Sequence, residues 1–327
     1  MPRYVRCSLS RVFGNVFVLV AASLMLLDYY TVVEHWRHHT LFLLAYHVLV
    51  VLLAWSFVQT MITDPGQVPP YWGFAMGDSE LKRRRYCLMC HVFKPERCHH
   101  CSACNRCVLN MDHHCPWVNN CIGFYNRKFF MLLLCYVFLT TWCTAVAMFP
   151  ACRDIVLAFQ ERPTLDRLWP FVVVGVYAGN LALAVAISMF LRFHFSLVLA
   201  NRTTIDTMDK SKKPTEVLAK QFTKGLYLNW CQVFGRNPFM WPIPAMSRSG
   251  KPLGDGVSWR PDPVVTTSEE PDLVEARGKQ AAQLPSLVVS QLSPSQKSLR
   301  SSNLPTESGP QSPRPTLERK NDDLTKT

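Results

Sequence analysis

Apolar residues along the chain gather into four long runs, not the alternating or striped pattern of a soluble core. The runs cover roughly Val12–Val33, Leu41–Ile62, Phe129–Phe149 and Pro170–Leu191. About 20 apolar residues let a helix cross a bilayer, so each run predicts one membrane span. Arg3, Arg6 and Arg11 ahead of the first run also fit the flank of a signal peptide. No small-residue cleavage site follows, however, and Asp28, Tyr29 and Tyr30 read as an interfacial helix end. The second run begins after a short polar connection, so the first pair is expected to form a helical hairpin. No internal repeat stands out.

The polar stretches divide the chain. The expected units are 1–63 (N-terminal segment and two spans), 64–128 (a polar, Cys-rich segment), 129–200 (two further spans), 201–246 (a short polar region) and 247–327 (a tail). Ser, Pro, Gln and Thr dominate the last unit, and its composition reads as disordered. Lys and Arg concentrate at the N-terminus, between spans two and three, and after span four. By the positive-inside rule both termini and the Cys-rich segment face the cytosol. The net charge of +12 then fits anionic lipid better than nucleic acid. Lys82-Arg83-Arg84-Arg85 reads as headgroup attraction first and as a contact for the phosphates of a ligand second. Asp28, His47 and Asn180 lie in or near spans; Asp28 is expected at the interface and Asn180 in an interhelical hydrogen bond.

Of 13 cysteines, eight lie between Cys87 and Cys121, with five histidines among them. Such crowding at C-x-x-C spacing suits tetrahedral zinc in a reducing compartment. Cys87 and Cys90 form one knuckle; Cys101, Cys104 and Cys107 form two that overlap. The ligands suffice for two closed sites, although spacing does not pair ligands with ions. The segment has few apolar residues for a core, so metal binding is expected to supply its folding free energy. Asp112-His113-His114-Cys115 is the sharpest feature. A cysteine nucleophile needs a nearby base, and a carboxylate can orient that base. Spacing alone also allows Cys115 to be one more zinc ligand.

The run CLMCHVFKPERCHHCSACNRCVLNMDHHCPWVNNC resembles the Cys-rich domain of the DHHC protein S-acyltransferases, or palmitoyltransferases. Asp64-Pro65-Gly66 matches the family's DPG motif. Thr203-Thr204-Ile205-Asp206 resembles its TTxE motif, with Asp206 in place of Glu. Asn229-Trp230, Gln232–Gly235 and Asn237-Pro238 resemble its C-terminal aromatic motif. The resemblance implies an all-α polytopic membrane protein, with four transmembrane helices and a cytosolic two-zinc domain between helices two and three. It implies one structural zinc on Cys87, Cys90, His100 and Cys107, and another on Cys101, Cys104, His114 and Cys121. Cys98 and His99 are left without ligand roles. It further implies an acyl-enzyme on Cys115, with His113 and Asp112 behind it, formed from acyl-CoA, notably palmitoyl-CoA. Trp117, Phe130 and Thr140 are expected along the acyl chain. The partners implied are the membrane, acyl-CoA and substrate proteins with membrane-proximal cysteines, in the endomembrane system: Golgi, endoplasmic reticulum or plasma membrane. The shorter Asp206 is expected to lose or alter a buried hydrogen bond.

Rival classes fit less well. A zinc scaffold without chemistry leaves the DHHC tetrad unexplained. A channel would need polar residues along its spans. A nucleic-acid zinc finger would need the C2H2 spacing, which is missing.

Overall fold

The computed structural model describes residues 9–73, 85–161, 168–208, 222–247 and 250–259. Several features read from the sequence lie outside these residues: Arg3, Arg6, Lys82–Arg84 and the tail from residue 260.

Four helices carry the apolar runs: α1 (Leu9–Trp36), α2 (Thr40–Ile62), α3 (Arg127–Glu161) and α4 (Trp169–Leu199). All four are long and apolar enough to cross a membrane. A short helix, α5 (Thr204–Met208), follows α4, and α6 (Leu226–Phe234) carries the aromatic motif. At 1.5 Å per residue α2 is about 34 Å long, close to one bilayer.

α3 and α4 outrun their expected ends. The third apolar run was drawn to Phe149, and Pro150 follows it; proline removes a helix N–H and crowds the preceding turn. The helix nevertheless continues to Glu161 with Pro150 inside it. Met148 and Cys152 flank the proline, and both pack into one cluster with Val32, Tyr46 and Val173. Tertiary packing thus outweighs the local breaker. α4 runs on past Leu191 because His194, Leu197 and Val198 are buried on its last turns. Its end is capped from afar: Asn229 on α6 donates from Nδ2 to Leu199 O at 2.8 Å.

Between α2 and α3 the chain folds into three antiparallel hairpins, the one β structure among the described residues. They are β1 (Tyr86–Cys87) with β2 (Val92–Phe93), β3 (His99–Cys101) with β4 (Arg106–Val108), and β5 (His113–Cys115) with β6 (Asn120–Ile122). Their registers coincide: Cys87 opposes Val92, Cys101 opposes Arg106, and Cys115 opposes Asn120. The hairpins therefore repeat every 14 residues (101 − 87 = 115 − 101 = 14). The turn residues His91, Asn105 and Asn119 keep the same spacing, and all have positive φ. This repeat went unseen in the sequence because backbone register carries it better than residue identity does.

Polar caps bind the hairpins to the helices. Asn120 Nδ2 is shared among the last carbonyls of α2, at 3.1 Å from Thr60 O, 3.0 Å from Met61 O and 2.9 Å from Thr63 O. Lys128 is fully buried and donates to Met240 O and Ala245 O, tying the C-terminal region to α3. Within the bundle, Asn180 donates to Thr141 O at 2.9 Å, an interhelical bond as expected. Asp28 is not a free interfacial group. Its Oδ2 accepts from Tyr46 on α2 and Thr144 on α3.

Arg97 forms a second clasp. It donates from Nε and Nη2 to Asp206 Oδ2, at 3.0 and 2.7 Å, and from Nη1 to Asn201 Oδ1. The rings of Phe222 and Trp259 lie 5.0 and 4.5 Å from its guanidinium carbon. Trp259 is buried, although composition places it in the tail from residue 247. Asp206 keeps the ion pair despite its shorter side chain, and it also accepts from Thr203 N at 3.0 Å. The cost falls on its other oxygen, Oδ1, which is buried with no partner among the described residues.

Two stability outcomes follow from these contacts. Asn120→Ala leaves helix-end carbonyls uncapped and is expected to cost about 1–3 kcal/mol, seen as a lower melting temperature in detergent. Asp206→Ala strands the buried Arg97 charge and is expected to cost more, about 3–5 kcal/mol in the same measurement.

Candidate active site

The hairpin repeat explains how two Cys/His groups assemble. In each, a knuckle from one hairpin meets a His–Cys pair from the next. Cys87 and Cys90 face His100 and Cys107, which oppose each other across β3 and β4. Cys101 and Cys104 face His114 and Cys121, opposed across β5 and β6. In both groups the four ligand atoms lie within 4.8 Å of one another. A zinc tetrahedron with Zn–S of about 2.3 Å and Zn–N of about 2.0 Å requires S···N near 3.5 Å and S···S near 3.8 Å. His100 Nδ1 lies 3.6 Å from Cys87 Sγ and 3.2 Å from Cys90 Sγ. His114 Nδ1 lies 3.8, 3.4 and 3.7 Å from the sulfurs of Cys101, Cys104 and Cys121. Both groups could hold a metal ion, and their thiolate-rich donor set fits zinc.

Cys115 belongs to neither group. By register it occupies the place of Cys87 and Cys101, the first ligand of a knuckle. The position three residues on, filled by Cys90 and Cys104 in the other hairpins, is Val118 here. Cys115 is buried, and it packs with Leu53, Phe57, Val118, Phe130 and other residues of the main apolar cluster formed with the membrane helices.

His113 connects this thiol to a carboxylate. Its Nδ1 is 2.7 Å from Asp112 Oδ2, and Cys115 follows two positions later on the same strand and the same face. Burial works against the imidazolium, but the hydrogen bonds to Asp112 and Cys115 outweigh it and push the His113 pKa up to about 9. Asp112 is 1% exposed. Burial alone would raise its pKa; the Arg127 charge and the His113 hydrogen bond instead hold it below the usual carboxylate range. Thr204 donates to it twice, from its backbone N at 3.1 Å and its Oγ1 at 2.8 Å. Arg127 Nη2 approaches Asp112 Oδ1 at 3.4 Å.

Sequence reasoning missed part of this shell. Arg127 counted only as a topological charge. His194 was not singled out because the fourth span was drawn to end at Leu191. Its Nδ1 lies 4.0 Å from Asp112 Oδ2, and its buried ring sits beside His113. An ionisable residue so close to an apolar run was the available signal. Asp112, His113 and His194 also present ligand atoms within 4.8 Å of one another. The Arg127 guanidinium and the two Thr204 donors already occupy that carboxylate, so this cluster reads as a hydrogen-bonded network.

The three residues expected along an acyl chain lie apart. Phe130 is buried edge-on to His113, with ring centroids 5.1 Å apart. Trp117 is half exposed and meets Phe17 of α1 at 5.4 Å. Thr140 is buried ten residues further along α3, about 15 Å from Phe130 along the axis, and donates to Tyr136 O of its own helix.

Comparison with known proteins agrees with this geometry. The family model for the DHHC palmitoyltransferase matches residues 80–211. Probable protein S-acyltransferase 12 of Arabidopsis thaliana is 32% identical over 269 residues, covering 74% of this chain and 90% of that protein. Probable protein S-acyltransferase 14 of the same plant is 34% identical over 73% of this chain and 86% of its own length. The human palmitoyltransferase ZDHHC20 is 31% identical over 78% of each chain. Four apolar helices, two Cys/His groups and these likenesses together make the chain an integral membrane member of the DHHC palmitoyltransferase family.

Proposed function

We propose that this protein S-acyltransferase takes a long-chain acyl group, notably palmitoyl, from acyl-CoA onto Cys115 and passes it to cysteines of membrane-proximal proteins. One observation carries this reading: Cys115 belongs to neither metal group, shares a strand face with His113 two residues before it, and is embedded in the apolar cluster of the membrane helices.

In the first half-reaction the Cys115 sulfur attacks the thioester carbonyl carbon. A new C–S bond forms, the bond to the CoA sulfur breaks, and the proton held by His113 passes to the departing thiolate. In the second, His113 takes the proton of a substrate thiol, whose sulfur attacks the acyl-Cys115 carbonyl and releases Cys115. One thioester replaces another in each step, so positioning contributes much of the rate. Asp112 keeps the imidazole oriented and stabilises its protonated form, the role of the carboxylate in an acid–base–nucleophile triad.

Zinc on Cys87, Cys90, His100 and Cys107, and on Cys101, Cys104, His114 and Cys121, would act structurally by fixing the hairpins. His114, between His113 and Cys115, would be pinned by its metal, which steadies the reactive pair on either side. Phe130 and Trp117 stand at the reactive end of the acyl chain, and Thr140 marks its depth along α3. The basic flanks put both termini and the hairpins at the cytosolic face of an endomembrane, where thiols stay reduced.

Two measurements test this. Cys115→Ser is expected to lose the hydroxylamine-sensitive label from a clickable palmitate analogue while retaining two zinc ions per chain by atomic spectroscopy; a labelled variant would refute the acyl-enzyme. Thr140→Trp is expected to shift use from palmitoyl-CoA toward shorter acyl-CoAs in a chain-length competition. Unchanged selectivity would remove Thr140 from the acyl site.

A further inference from the structure

His194 belongs to neither Cys/His group and precedes Thr204 by ten residues. It is 1% exposed. Its ring is surrounded by Phe190, Phe130 and Phe193, with centroids at 4.4, 5.0 and 5.3 Å, and it meets His113 at 5.7 Å. Such a cage suits a phenylalanine, which would fill it without the cost of burying polar nitrogens. The position holds histidine, and its Nδ1 lies 4.0 Å from Asp112 Oδ2. That oxygen also receives the His113 and Thr204 hydrogen bonds.

We propose that His194 is a positioning residue for acyl transfer, acting through Asp112 on His113; the proposal rests on the acyl-enzyme reading above. The separation exceeds hydrogen-bond range, about 3.2 Å, so the resting contact is electrostatic. In a buried, low-dielectric site an N–H dipole directed at a carboxylate still holds it. Arg127, on the opposite oxygen at 3.4 Å, competes for the same carboxylate. Without the His194 nitrogen, Thr204 and His113 alone hold that oxygen against the pull of Arg127, and the angle of the His113 ring to Cys115 is set less firmly. Phe130 and His194 also brace His113 from different elements, α3 and α4, so helix packing and imidazole orientation are linked.

The test uses full-length protein in detergent micelles. His194→Phe preserves the ring and the cage; His194→Asn returns an amide near the place of Nδ1. The expected result for His194→Phe is a kcat lowered about 10- to 100-fold, with KM for palmitoyl-CoA within about twofold and two zinc ions retained. His194→Asn is expected to recover most of that loss. Wild-type kcat in His194→Phe, no rescue by asparagine, or loss of zinc along with activity would each overturn the proposal. Cys115→Ser run in parallel separates the two readings: label on that variant would sink the acyl-enzyme itself, whatever His194 does.

Discussion

A carboxylate buried at 1% exposure must be neutralised by what surrounds it, and the structure converges on Asp112 for that reason. His113 comes from the same hairpin, Arg127 from the start of α3, His194 from α4 and Thr204 from the start of α5. Four separate pieces of chain are thereby held to one point at the helix ends. The Arg97–Asp206 pair repeats the logic a short way off, joining the second hairpin to α5. Arg127, His194 and Asp206 reach these buried charges from the helices, so the Cys-rich domain and the helices are fixed against each other.

The hairpins show how one cysteine is left over beside two groups that could hold metal. Each knuckle completes its ligand set with the His–Cys pair of the hairpin that follows. The third hairpin has no successor, because the chain enters α3 at Arg127 instead. Val118 stands where a second knuckle cysteine would be. Cys115 therefore keeps the backbone setting of a knuckle cysteine while belonging to neither group. His114 and Cys121 face the preceding knuckle, which sets the hairpin that presents Cys115 against its neighbour. In place of a metal, the thiol meets His113 on one side and apolar residues of the membrane helices on the other. That combination suits a thioester with a long alkyl chain.

Much of this was legible in the residues alone. Apolar runs determine spans because an unpaired backbone polar group in lipid is too costly for any other local structure. Cysteine and histidine at knuckle spacing announce a metal because ligand chemistry is local in sequence. The family motifs named the ligand sets, and the structure brings those residues together. Three things were decided only by the tertiary structure. Pro150 lies within a continuous helix because packing on both sides outweighs a lost hydrogen bond. Trp259 joins the fold because a buried guanidinium offers it a face, which no compositional rule sees. Arg127 and His194 gather at Asp112 from 15 and 82 residues away (127 − 112 and 194 − 112), since neutralising a buried charge depends on distance in space and leaves no periodic trace along the chain.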